Sequence, residues 1–279
     1  MSDITDITIN EIDVSDRLYQ EGDLARVLEI ISEHDEDDAE EAEKSLNSSH
    51  DINWVAVRNG IVVGISGYER VLGTDKTAYL SWTYVQKAYC GKGIGSQLLD
   101  AVLDHARGEG CRLMLVKLSD YIESGASISI YNAAKQLYLK KGFTTQIFCN
   151  DFYDEGEGIE ILSVRLQNSA DTPKIKDEKP RLAFFGLREI SETHGAYTFD
   201  WNSPPGFSFS SKRNFSKDDI QLGLDAAENA CARAVFLTFP SNLPLIHRPL
   251  QQAGFKYLGE IKDYYEDGLD EMHFIFQFK

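Results

Sequence analysis

The sequence predicts an α/β protein whose second half is a divergent copy of its first. Three observations carry that prediction. An aromatic, β-branched run, Ala78 to Val85, feeds a glycine-rich turn that opens an amphipathic helix. Strand-like and helix-like periods alternate from residue 53 to residue 166. A set of short motifs between residues 142 and 166 recurs, in the same order, between residues 254 and 278.

Ile4 to Val14 alternates in period two and reads as a first strand. Leu18 to Leu46 reads as one or two helices, with Leu24, Val27, Leu28 and Ile31 on the apolar face. The acidic run Glu33 to Glu41 reads as a solvated helix end, and alternatively as a lip for a cationic substrate. Asn53–Arg58 and Ile61–Tyr68 flank Asn59-Gly60, a strong hairpin signal. After the strand to Val85 and its turn, Ile94, Leu98, Val102 and Ala106 recur at helical spacing. Cys111 to Leu118 is largely apolar and predicts a strand buried on both faces. Ser127 to Lys141 predicts a helix with Ile130, Ala133, Ala134, Leu137 and Tyr138 on one side. Gly142 stops it and Phe143 packs beyond. Thr145–Phe152 and Glu160–Leu166 form a closing hairpin. Asn168 to Pro180 is polar, carries two prolines and reads as a linker. The expected domains are therefore 1–167 and 181–279, joined by 168–180.

The chain has 279 residues, 42% hydrophobic and 26% charged, an ordinary globular composition. No apolar run reaches the length of a membrane span, so no membrane partner is expected. The first residues, Met1-Ser2-Asp3-Ile4-Thr5-Asp6, lack the basic and apolar regions of a signal peptide. Cys90, Cys111, Cys149 and Cys231 have no metal or disulfide spacing, which fits a reducing cytoplasm and no metal. The net charge of -17 disfavours nucleic acid. It keeps the protein soluble, and it would attract cationic acceptors.

The turn Cys90-Gly91-Lys92-Gly93-Ile94-Gly95-Ser96 has the chemistry of an anion site. Glycines permit positive φ, and the first N–H groups of a helix lack internal partners. Its spacing fits neither G-x-G-x-x-G nor the phosphate loop ending in Lys-Ser/Thr. It resembles the acyl-CoA-binding loop of the GNAT N-acetyltransferases, with Cys90 where that family has Arg or Gln. A second stretch, Asn132 to Phe143, resembles that family's other hallmark, with Asn132, Tyr138, Gly142 and Phe143 in place and Ala134 near it. The resemblance spans residues 4–166.

The resemblance implies an acyl-CoA N-acyltransferase fold with a mixed, splayed sheet, and acetyl-CoA as co-substrate. It implies that diphosphate rests on the amides of Gly91, Lys92, Gly93, Ile94, Gly95 and Ser96, with Cys90 alongside. The thioester would lie against Tyr84 and Val85, and Asn132 would hydrogen-bond the pantetheine arm. Acetyl would pass directly to a primary amine on a small molecule or peptide. Such transfer needs a neutral amine, an oxyanion donor and a proton for the thiolate. Tyr138 is the candidate general acid, since tyrosine, with a pKa of about 10, is protonated at neutral pH. No base stands out: Lys117 occupies the strand position where relatives often place Glu, and Asp120, Glu69 or Tyr153 could act through water. His34, His50 and His105 read as surface histidines. Asp151 to Gly156, with Tyr153 ahead of an acidic turn, resembles an acceptor-side loop, and reads equally as an ordinary hairpin turn. A homodimer is compatible with this reading.

In the C-terminal half, Gly254-Phe255 repeats Gly142-Phe143, and Asp263 to Gly268 repeats Asp151 to Gly156. Ala234–Phe239 parallels Leu113–Leu118. Ser210 to Asp219 replaces the glycine turn with side chains and two carboxylates, which repel a diphosphate. The helix tyrosine is gone, and around His247-Arg248-Pro249-Leu250 the helical pattern is broken. This half is therefore expected not to bind CoA in the usual way, its role being packing, substrate gating or partner binding. Two other functions fit the sequence: a non-catalytic CoA-sensing or partner-binding protein, and a fused enzyme acting on a small metabolite.

Overall fold

Asn59 and Gly60 take φ of 50° and 78°, the paired positive values of a tight two-residue hairpin. The hairpin they close joins β2 (Asp51–Arg58) to β3 (Ile61–Arg70), as expected. The structure, a computed structural model, describes residues 14–46, 51–125, 127–168, 186–200, 217–242 and 246–278. It has the expected mixed α/β class. Two compact units divide it, Met1–Arg70 with Ala78–Gly110, and Val71–Thr77 with Cys111–Lys279. No helix among the described residues is long and apolar enough to cross a membrane.

In the first unit, β1 (Ser15–Leu18), β2, β3 and β4 (Thr77–Val85) run antiparallel in that order. The expected strand at 4–14 lies, up to residue 13, outside the described residues. β1 is fixed by Arg17, whose two terminal nitrogens donate to the Asp23 carboxylate at 2.7 and 2.7 Å. Helices α1 (Leu24–Ser32) and α2 (Glu36–Leu46) cover one face, where Val27, Ile30, Ile31 and Ala42 pack on Val55 and Ile65. Helix α3 (Ile94–Gly108) covers the other, setting Ile94 and Leu98 against Ala56 and Val63. β3 is consequently buried on both faces, which is why its sequence shows no alternation.

In the second unit, β5 (Leu113–Ser119), α4 (Asn132–Lys140), β6 (Thr144–Asp154) and β7 (Glu157–Arg165) follow in sequence. The strands pair antiparallel as β5-β7-β6. Helix α4 is shorter than the expected 127–141. The Ser129 hydroxyl takes the Tyr131 N–H at 3.1 Å and the Ser129 carbonyl takes the Asn132 N–H at 3.0 Å, so a turn precedes the helix. Ile130 is 43% exposed, Ala133 is also exposed, and Tyr138 is the helix's one fully buried residue.

Beyond residues 169–185, which lie outside the described residues, come β8 (Gly186–Glu189), β9 (Ala196–Asp200), α5 (Lys217–Asn229) and β10 (Ala234–Pro240). Then follow α6 (His247–Gln252), β11 (Lys256–Glu266) and β12 (Leu269–Gln277). These strands form a mixed sheet, β11-β12-β10-β9-β8, with β9 parallel to β10. Most of the expected linker (169–180), and residues 210–216 of the altered turn, lie outside the described residues. The expected break at 247–250 is instead a short helix. Pro249 sits in its first turn, where a missing N–H costs nothing.

The order β5-α4-β6-β7 recurs as β10-α6-β11-β12. Matching positions share conformation: Gly142 and Gly254 have φ of 89° and 97°, Asp151 and Asp263 of 56° and 55°. The carboxylates of that aspartate pair accept the Gly156 and Gly268 amides at 2.8 and 2.7 Å.

Candidate functional site

The site begins where β4 breaks register. Ile65 faces Tyr84 and Gly67 faces Ser81, so one extra residue bulges on β4 near Trp82 and Thr83. Ser66 and Thr83 hydroxyls meet there at 2.9 Å. The chain leaves β4 through Gln86, whose N–H donates to Val63 O at 2.9 Å, and makes one tight turn at Lys87–Tyr89. Gly91 and Gly93 then take φ of 72° and 86°. A Cβ on either would meet no atom within 4 Å, so backbone conformation, not crowding, selects glycine. Gly93 is the N-cap of α3 and supplies no side-chain cap to the first-turn amides of Ile94, Gly95 and Ser96. Ile94, buried beside Leu98, anchors the turn while Gly91, Lys92 and Gly93 stay exposed.

Lys92 Nζ donates to Ala88 O at 2.8 Å and stands 5.0 Å from the Tyr89 ring centre; Arg58 lies 5.2 Å from the same centre. Cys90 Sγ lies 3.4 Å from Val85 O. Partial burial, followed by the charge of Glu33, raises its thiol pKa. Cys90 stays exposed, its Sγ also lying 3.7 Å from Gln86 O.

Within the acidic run Glu36, Asp37, Glu40 and Glu41 are exposed, as the sequence predicts, and Glu33, His34 and Asp38 make specific contacts. Glu33 accepts the Lys87 amide at 2.8 Å and the Gln86 side-chain amide at 3.2 Å. His34 Nε2 donates to Val85 O at 2.8 Å, and Tyr84 donates its hydroxyl to Asp38. Glu33, His34 and Asp38 thus hold the end of β4 and the start of the turn. Nothing near them in the sequence names these partners, which lie about fifty residues away.

In the second unit, Asn132 is half-buried at the start of α4 and Tyr138 is 3% exposed. The Tyr138 ring sits 5.4 Å from Phe143, tilted by 54°. Asp120, at the end of β5, accepts the Gly158 amide at 2.6 Å. It lines a cavity of about 230 Å³ with Asn150, Asp151, Gly156 and Gly158. Among the other residues weighed as bases, Glu69 lies exposed near the end of β3, and Tyr153 stacks edge-on against Phe152 at 5.0 Å. Lys117 is paired with Glu192 at 2.7 Å. His105 accepts or donates to the Tyr68 hydroxyl at 3.2 Å and packs on Trp54, so it is part of the scaffold. His50 lies outside the described residues.

The acidic turn after β6 carries an exposed pair, His194 Nδ1 to Asp154 Oδ2 at 2.9 Å. That hydrogen bond raises the imidazole pKa above its ordinary value and lowers the carboxyl's, while Arg233 opposes the rise. The raised histidine stabilises fully below its unfolded value and is lost as pH rises through the folded one. The lowered aspartate stabilises above its unfolded value and is lost as pH falls through the folded one. The pair therefore holds between the ordinary carboxylate and histidine ranges. Asp154→Asn should move the His194 titration, read by NMR, down toward the ordinary value. An unmoved midpoint would contradict the pairing.

The acetyltransferase (GNAT) family model matches residues 18–143. No curated protein matches the chain. Among solved structures it is similar to a GNAT-family protein of Desulfovibrio desulfuricans, at 22% identity and TM-score 0.48, covering 55% of this chain and 99% of that one. A Salmonella typhimurium protein solved with its cofactor acetyl-CoA has 20% identity and TM-score 0.47, covering 58% and 99%. The aminoglycoside 6'-N-acetyltransferase of Enterococcus faecium has 11% identity and TM-score 0.48, covering 56% and 99%.

Proposed function

We propose, residues 18–143 being a domain of the acetyltransferase (GNAT) family, that this chain transfers acetyl from acetyl-CoA directly to a primary amine. The observation that carries the reading is the turn after β4. Two left-handed glycines there leave the first amides of α3 without a side-chain cap, at a helix end with partial positive charge. A diphosphate is the ligand such amides suit, and Lys92 adds a cation beside them.

On this reading the amine nitrogen attacks the thioester carbon, and an N–H donor on the β4 strand meets the oxyanion. The C–S bond then breaks and the Tyr138 hydroxyl gives its proton to the thiolate. Burial of Tyr138 to 3% exposure, braced by Phe143, suits a donor held in one orientation. The amine loses its own proton to solvent or to a carboxylate such as Asp120, one of two acids lining the cavity beside the acidic turn.

The domain reading is 1–167 and 181–279, the latter a degenerate second copy. The recurring element order and the paired φ values of Asp151 and Asp263 support the copy. Asp218 and Asp219 in the first turn of α5 support its having no CoA site. The test is release of free CoA thiol from acetyl-CoA over a panel of small amines and peptides. The expected result is amine-dependent release. No release with any amine, together with no affinity for acetyl-CoA, would overturn the proposal.

A further inference from the structure

Within the second unit, β6 and β7 lose their ladder at one place. Cys149 faces Ile159 and Asp154 faces Glu157, so residues 150–153 stand opposite Gly158 alone. A bulge this large leaves carbonyls without strand partners, and buried or half-buried carbonyls need donors. Those donors come from the C-terminal half. Arg233, just before β10, donates Nη1 to Asp151 O, Nη2 to Phe152 O at 3.0 Å and Nε to His194 O at 3.1 Å. The His194 amide donates to Tyr153 O at 2.8 Å. Gln277 Nε2 donates to the Asp151 carboxylate at 3.2 Å.

The matching bulge in β11 is treated the same way from the other side. Ile261 faces Glu271 and Glu266 faces Leu269. Arg112, just before β5, donates to Asp263 O at 2.5 Å and Tyr264 O at 3.4 Å. The Asp75 amide reaches Tyr265 O at 2.6 Å. Each half thus completes the other's bulge with an arginine at the same point in its own fold.

We propose that the C-terminal half sets the conformation of the Asp151–Gly156 turn, with Arg233 as the positioning residue. This rests on the acetyltransferase reading, in which that turn borders the acceptor amine. Asp151 and Gly156 line the cavity that also holds Asp120. A turn released from Arg233 would move two walls of that cavity while leaving the residues that would hold acetyl-CoA untouched. The second half, having no CoA site of its own, would act on catalysis through acceptor geometry.

The test uses the full chain as wild type, Arg233→Ala, Arg233→Lys and Gln277→Ala. Two readouts are taken: hydrogen exchange across residues 150–157, and KM for the amine against KM for acetyl-CoA. For Arg233→Ala, exchange at the turn should speed by about tenfold or more, the loss of two charge-assisted hydrogen bonds. The amine KM should rise about tenfold while the acetyl-CoA KM stays within about twofold. Arg233→Lys should recover part of both effects, because an ammonium cannot span two carbonyls as a guanidinium fork does. Gln277→Ala, which keeps the arginine, should give the same pattern more weakly. Unchanged exchange at 150–157 in Arg233→Ala overturns the proposal, as does an acetyl-CoA KM that rises in step with the amine KM. A wild type without turnover would remove the acetyltransferase reading, and the exchange readout would still decide whether the second half holds the turn.

Discussion

Gly93→Asp should weaken acetyl-CoA binding by about a hundredfold or more, measured by calorimetry, without unfolding the chain. Two effects combine. Gly93 has φ of 86°, where a residue with a Cβ is strained by roughly 1–2 kcal/mol. A carboxylate at the helix N-cap also faces the diphosphate with like charge. Gly93→Ala separates the terms: strain alone predicts a loss of about tenfold. The open space around this Cβ means neither change clashes with a neighbour. Undiminished affinity in the aspartate variant would contradict the assignment of this turn.

Tyr138→Phe should lower kcat by about a hundredfold or more, the range for loss of a positioned general acid. The ring can keep its place against Phe143, so packing is retained. Acetyl-CoA affinity should therefore stay near that of the wild type. A loss confined to kcat is the signature of an interaction made during reaction and not on binding. If kcat falls less than about twofold while thermal stability drops, Tyr138 is a packing residue and the proton comes from elsewhere.

Local rules made much of this molecule readable. Asn59-Gly60 set a hairpin because both residues tolerate the paired positive φ of a tight two-residue turn, and the glycines at 91 and 93 sit where the chain needs the same freedom. What escaped was long-range. Glu33, His34 and Asp38 read as solvent-facing charge because nothing near them in sequence names Lys87, Val85 or Tyr84 as partners. The start of α4 was misplaced because Ser129 diverts the backbone bonds that a helix from 127 would need. Arg233 gave no signal at all. Its acceptors are main-chain carbonyls, which carry no letter in the sequence, exposed by a bulge that a periodicity argument cannot see.

The abutting strands β6 and β11 have a thermodynamic corollary. Each is the outer strand of its own ladder, the position at which separate proteins commonly join. Here both belong to one polypeptide, so their meeting is unimolecular and its strength is set by tether length, not by how much protein is present. Dilution that would dissociate a pair of subunits leaves this seam intact.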